Sequence, residues 1–209
     1  MFIIAHRGAP NLCIENTIQS FVTALRYDVS GIELDVQYSK DKQLVVFHDW
    51  DLSRFTGQSN LIVDSDYNFL KAINLNHNNH FVGIPLFEDV AKIMPKHKYF
   101  HVEIKSKNII GNKAFVKDLI QIIHKYHLDK NTIISSFNPF VLLLVKKFAP
   151  TIKRGVLWTS QTDKLWYISK YNILFTKPYS FHADIKHISP QLLSYLKKRN
   201  IKIYLYTIN

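Results

Sequence analysis

Apolar and polar positions follow two rhythms along this chain, and the change from one to the other marks its elements. Phe2 to Ala5 is a short apolar run ending in His6-Arg7-Gly8, which predicts a buried strand with a glycine easing its exit. Thr17 can cap a helix in which Ile18, Phe21, Val22 and Leu25 recur at helical spacing. At Gly31 the period drops to two. Ile32, Leu34 and Val36 alternate with Glu33, Asp35 and Gln37, so the two carboxylates leave one face of a strand. Ser39-Lys40-Asp41-Lys42 is turn-prone and Leu44 to Phe47 is again strand-like, so residues 31–49 fold back as a hairpin with a turn near Asp41. That turn sets Glu33 opposite His48-Asp49.

Residues 50–84 are less regular and read as an insertion of loops around one short helix near Asn68 to Ala72. His77 and His80 lie there among asparagines, with no carboxylate or cysteine beside them, and read as a solvated loop rather than a metal site. Pro85 begins a helix carrying Leu86, Val90, Ile93 and Met94. Lys98 to Lys105 is a strand that puts Glu103 and Lys105 on one face. Stripes of apolar residues predict helices at Lys113 to His127 and at Pro139 to Phe148, the second with Asn138-Pro139 as cap and first residue. Thr132 to Phe137 and Lys153 to Trp158 are strands. A helix at Asp163 to Tyr171, one short strand within Ile173 to Ile185, a helix from Ser189-Pro190 to Arg199 and a strand at Ile201 to Ile208 complete the pattern.

Alternating strands and helices demand a parallel sheet covered by helices. About seven barrel strands and one hairpin return leave a choice between a (β/α)8 barrel and an open doubly wound sheet. His6, Arg7, Glu33, Asp35, Glu103 and Lys105 come from the ends of three strands, which is how a barrel assembles a site at its C-terminal face. There is no glycine-rich phosphate loop, which argues against a nucleotide-binding sheet.

Length and composition narrow the class. A chain of 209 residues with 47% hydrophobic and 21% charged residues fits one globular domain, residues 1–209. No apolar run is long enough to cross a bilayer, and Met1 to Ala5 leads into His6-Arg7 without a basic leader. A cytoplasmic protein is expected. The single cysteine, Cys13, can form no internal disulfide and suits a reducing compartment. The formal charge of +11 favours anionic partners, but the lysines are scattered and form no tract like a nucleic-acid arm. Paired carboxylates suit a hard divalent cation, and a histidine beside them suits acid–base work.

These residues resemble the glycerophosphodiester phosphodiesterase family. The resemblance rests on AHRGAP followed by ENT at Glu15 to Thr17, then GIELDV, SKD, VVFHD with LSRFTG after it, IPLFEDV, HVEIK, SSFN and YLYTIN, in order across nearly the whole chain. It implies a (β/α)8 TIM-type barrel that hydrolyses glycerophosphodiesters to an alcohol and glycerol 3-phosphate with a divalent metal, magnesium or calcium. By position, His6 and His48 match the catalytic pair, Glu33, Asp35 and Glu103 the metal ligands, and Arg7 and Lys105 the residues that hold the phosphate. It further implies attack by the glycerol 2-hydroxyl to give a cyclic phosphate that water then opens.

The chain departs from the family pattern in two places. Tyr206 stands where the family usually has tryptophan, and family members continue past that motif through another helix and strand. A barrel without its last helix and strand is therefore expected, with two parallel edges exposed. A lysophospholipase D-like or phosphosphingolipid substrate is an alternative if Trp50, Phe55 and Tyr67 form an exposed apolar region. A truncated, non-catalytic phosphate- or metal-binding remnant is the alternative from another class. His97, His101, His124, His127 and His187 read as structural or solvated, and His182 as able to approach the site.

Overall fold

The computed structural model describes residues 2–75, 80–106, 111–159 and 167–207. His77 and the first residues of the helix expected from Asp163 lie outside them. In order the elements are β1 (Ile4–His6), α1 (Ile18–Leu25), β2 (Gly31–Tyr38), β3 (Leu44–Val46), α2 (Ser53–Thr56), α3 (Tyr67–Leu70), α4 (Phe87–Ile93), β4 (Tyr99–Ile104), α5 (Lys113–Lys125), β5 (Thr132–Ser136), α6 (Pro139–Phe148), β6 (Lys153–Trp158), α7 (Tyr167–Thr176), β7 (Ser180–Asp184), α8 (Pro190–Lys198) and β8 (Lys202–Tyr206). Short 3-10 turns sit at Ile62–Asp64 and Ile185–His187.

Seven strands run parallel in the order β1-β2-β4-β5-β6-β7-β8, and β3 pairs antiparallel with β2. The sheet curls. Three strands separate His101 on β4 from Tyr204 on β8 in the order, yet their ring centroids are 4.9 Å apart across the interior. Phe2 adds a contact to Tyr99 at 4.8 Å and to Tyr204 at 5.8 Å. Among the described residues β1 and β8 each pair on one side only, so the sheet is an incomplete (β/α)8 barrel with its two edges facing one gap.

The register of β2 prepares the site. One edge of β2 pairs with β4 along its length, Glu33 beside His101 and Asp35 beside Glu103. Its other edge is shared: β1 takes Gly31 to Glu33, and β3 takes Val36 to Tyr38 from the opposite direction. Two chain segments therefore meet end to end beside Glu33 and Asp35, one finishing in His6-Arg7 and the other leaving through Phe47-His48. The Arg7 amide donates to the Glu33 carbonyl at 3.0 Å and the Phe47 amide to the Asp35 carbonyl at 3.0 Å. Close packing of β2 on β4 needs a residue without Cβ at Gly31, where such an atom would lie 2.1 Å from the Tyr99 carbonyl oxygen.

Helices cover the sheet through the apolar stripes read from the sequence. Phe21, Val90, Phe115, Val116, Leu119 and Val145 join Ile32, Leu34, Phe100 and Ile134 in the main core. A second core gathers Val156, Trp158, Phe181, Ala183, Leu192 and Leu196 beneath β6 to β8. The insertion closes over a third, with Phe47, Leu52, Ile62, Leu70 and Ile84 fully or almost fully buried. Capping follows the sequence: Thr17, Asn138 and Ser189 accept from the amides of Ser20, Phe140 and Leu192. Asn200 takes a positive φ of 55° beyond α8.

Three boundaries differ from expectation. The insertion holds a helix, α2, besides the expected one; four residues ended by Gly57 at φ 73° are too short to display apolar periodicity. Helix α4 starts at Phe87 rather than Pro85, because Pro85 accepts from the Val46 amide and Leu86 bridges Val45. Helix α7 runs past its expected end at Tyr171, through the buried Ile173, to Thr176. No helix among the described residues is long and apolar enough to cross a membrane.

Candidate active site

His6 ends β1, and the chain then turns through two residues with positive φ, Arg7 at 58° and Gly8 at 89°. A Cβ at Gly8 would stand 2.4 Å from Ser20 Oγ, so glycine lets the turn pack on α1. Ser20 Oγ donates to the Arg7 carbonyl and accepts from the Ala9 amide, which fixes this loop to the helix. Arg7 is thereby aimed inward. Its Nη1 donates to Glu15 Oε1 at 3.0 Å and its Nε lies 3.4 Å from Asp35 Oδ2. That Nε is buried and makes no hydrogen bond.

Glu33, Asp35 and Glu103 each offer a carboxylate oxygen, and these atoms lie within 4.8 Å of one another. Asp35 is 1% exposed and accepts from Asn16 Nδ2 at 2.9 Å. Lys105 Nζ lies 3.4 Å from Glu103 Oε1 and 3.8 Å from Asp35 Oδ1, over the Trp50 ring at 5.6 Å. Burial, with the charges of Asp35 and Glu103, pushes the Glu33 carboxyl well above the ordinary carboxylate range. Burial and Asp35 do the same to Glu103. Three acids crowded together against two cations form a site short of positive charge, and their hard oxygen donors fit a divalent cation of the Mg2+ or Ca2+ class.

The histidines flank this cluster. His6 Nε2 is 3.8 Å from Glu33 Oε2. Burial, and then the Arg7 charge, lower its pKa to about 4. His48 is lowered chiefly by burial, against the opposing pull of Asp35. Its Nδ1 lies 2.7 Å from Asp49 Oδ1. Burial favours the protonated form of Asp49, but hydrogen bonds from Arg54 and His48 outweigh it and hold this carboxyl below its usual range. An ionised Asp49 can only accept, so Nδ1 carries the hydrogen of the neutral ring and Nε2 is left bare.

The seven residues singled out from the sequence, His6, Arg7, Glu33, Asp35, His48, Glu103 and Lys105, therefore lie together. Sequence reasoning gave no role to Glu15, Asn16, Asp49 and Arg54, which tie the loops to one another; the ENT, HD and LSRFTG stretches held the only signal. His182 does not join the cluster. It is buried beside His101 and Tyr204, with Nε2 2.9 Å from Ser180 Oγ. His80, His97, His124, His127 and His187 are exposed, whereas His101 is buried. Tyr206 donates to the Trp158 carbonyl at 2.7 Å. The exposed apolar region expected of Trp50, Phe55 and Tyr67 does not form as such, because Phe55 and Tyr67 pack partly buried against the insertion core and only Trp50 is exposed.

Comparison with known proteins agrees with the fold. The model of the glycerophosphoryl diester phosphodiesterase family matches residues 6–209. A glycerophosphodiester phosphodiesterase of Caldanaerobacter subterraneus subsp. tengcongensis is 34% identical over 212 residues, which span 99% of this chain and 85% of the relative. The crystal structure of the glycerophosphodiester phosphodiesterase of Thermotoga maritima superposes with a TM-score of 0.77 at 29% identity, covering 100% of this chain and 87% of the other. A phosphodiesterase of Oleispira antarctica, solved with the product sn-glycerol-3-phosphate, shares the fold with a TM-score of 0.87 at 24% identity over 100% of this chain and 85% of its own. The chain belongs to the glycerophosphoryl diester phosphodiesterase family.

Proposed function

We propose that the chain hydrolyses glycerophosphodiesters to an alcohol and glycerol 3-phosphate, with His6 and His48 moving protons beside a divalent cation held by Glu33, Asp35 and Glu103. The observation that carries this reading is the meeting of three carboxylates within 4.8 Å, that of Asp35 buried, with two cationic side chains and two imidazoles at the ends of four strands. Family membership and the product held by the Oleispira relative support the substrate class.

A phosphodiester anion repels nucleophiles, so the site must offset charge, orient a hydroxyl and protonate a departing alkoxide. A divalent cation, when bound, supplies Lewis-acid polarisation of a phosphoryl oxygen and a lowered hydroxyl pKa. Arg7 offers its buried Nε, which makes no hydrogen bond, to a phosphoryl oxygen, and Lys105 adds a second positive charge beside it. One imidazole takes the proton of the attacking hydroxyl and the other gives one to the leaving oxygen. In His48 only Nε2 is available for this, since Nδ1 is committed to Asp49.

Release of glycerol 3-phosphate from glycerophosphocholine should occur with Mg2+ or Ca2+, stop on addition of EDTA and fall in His48→Ala. Absence of release with either cation, or release that EDTA leaves untouched, would refute the reading.

A further inference from the structure

Behind His48 a chain of charged groups runs across the mouth of the barrel. Asp49 binds His48 Nδ1 through Oδ1 and receives Arg54 Nε at its other oxygen, at 2.5 Å. Arg54 Nη2 donates to Glu15 Oε1, also at 2.5 Å, and the same Glu15 oxygen accepts from Arg7 Nη1. The guanidinium of Arg54 thus spans two loops: α2 carries Arg54 just after His48-Asp49, whereas Glu15 lies between β1 and α1. Arg54 is also held on its flat side, 4.4 Å over the Phe55 ring, which packs 5.6 Å from Phe47. A planar fork that binds two carboxylates at different nitrogens is a job that a lysine ammonium cannot copy.

We propose that Arg54 and Glu15 are positioning residues: they brace Asp49 so that His48 is held as the Nδ1–H tautomer with Nε2 turned to the acidic cluster, and they fix His48 relative to Arg7. Neither side chain need touch substrate. The brace runs through Asp49 on one side and through Glu15 on the other: removing Arg54 leaves Asp49 with one partner fewer, and removing Glu15 leaves the Arg54 guanidinium held by a single carboxylate, so that it carries Asp49 with it when it swings. The catalytic consequence rests on the function proposed above; the tautomer does not.

The test therefore has one arm without turnover. Protein with 15N-labelled histidine, the His48 signals assigned by their loss in His48→Ala, is examined at pH 8 by long-range proton–nitrogen correlation of the imidazole rings. Wild type should show the Nδ1–H pattern for His48, and Arg54→Met should convert it to a mixture of tautomers. In the second arm, with glycerophosphocholine and Mg2+, Arg54→Met and Glu15→Gln should each lower kcat tenfold or more while KM stays within twofold. Arg54→Lys should recover only part of the loss. The double variant should be little worse than either single one, because both cut the same brace. If Arg54→Met does not fold, Glu15→Gln carries both arms with a side chain of the same shape. A His48 tautomer that Arg54→Met and Glu15→Gln leave unchanged would overturn the proposal, as would kcat within threefold of wild type in both variants. A tautomer change in a protein whose wild type shows no turnover would uphold the brace and remove the proposed activity, so the two failures are separable.

Discussion

Replacing Glu103 by glutamine should stabilise the cation-free protein at alkaline pH while removing its response to metal. Glu103 is buried beside Asp35 and Glu33, and its carboxyl is pushed up from 4.5 to about 7. The folded state therefore holds this proton more tightly than the unfolded chain does. Its stability contribution is retained below pH 4.5 and lost as pH rises towards 7. A shift of that size corresponds to about 3 kcal/mol, at about 1.4 kcal/mol per pKa unit. Glutamine has nothing to ionise there, so Glu103→Gln should melt roughly 6–12 °C above wild type at pH 8 in EDTA, at about 2–4 °C per kcal/mol for a chain of this size, and level with it near pH 4.5. Wild-type melting alone would not reveal the effect, because half-buried His6 and buried His182, both lowered to about 4, drive stability in the other direction between pH 4 and 6.5. The difference between variant and wild type cancels those groups. Millimolar Mg2+ or Ca2+ should raise the wild-type melting temperature at pH 8 and leave that of Glu103→Gln nearly unchanged, which narrows or reverses the order. A Glu103→Gln protein that melts at or below wild type at pH 8 in EDTA would refute the reasoning.

His48→Ala should reduce kcat for glycerophosphocholine by about two to four orders of magnitude, with the melting temperature little changed; a fall of less than tenfold would remove His48 from the chemistry. Gly31→Ala would thrust a methyl group against the Tyr99 carbonyl oxygen, a backbone atom that cannot swing aside. Urea denaturation should show a loss of about 1–3 kcal/mol or more. Asn138→Ala removes the acceptor for the Phe140 amide at the start of α6 and should cost about 1 kcal/mol in the same assay.

Much of this arrangement was legible in the sequence because each strand carries its chemistry at fixed register. Period-two alternation placed Glu33 and Asp35 on one face, and the turn near Asp41 brought His48 back towards them. Lys113, Pro139 and Lys153 were found as element starts because caps and apolar stripes are local signals. What sequence did not yield were links between loops. Nothing in the spacing of Glu15, Asp49 and Arg54 announces that one guanidinium joins two carboxylates 34 residues apart, since loop closure obeys tertiary packing and not periodicity. The same limit hid α2, and it made Phe55 and Tyr67 look exposed when the insertion folds over them. Helix α4 began late because Pro85 and Leu86 extend the sheet at β3, a pairing that overrides helix propensity.

The division of the packing against the sheet between a larger and a smaller core has a consequence for how the molecule opens. The side chains proposed for catalysis all issue from β1 to β4 and the segments that follow them, above the larger core, whereas β6 to β8 rest on the smaller one and meet the first strand's side of the sheet through contacts such as Phe2 on Tyr204. Amide protons of β7 and β8 should therefore exchange with solvent sooner than those of β2 and β4, the far third of the sheet fraying while the catalytic half keeps its shape.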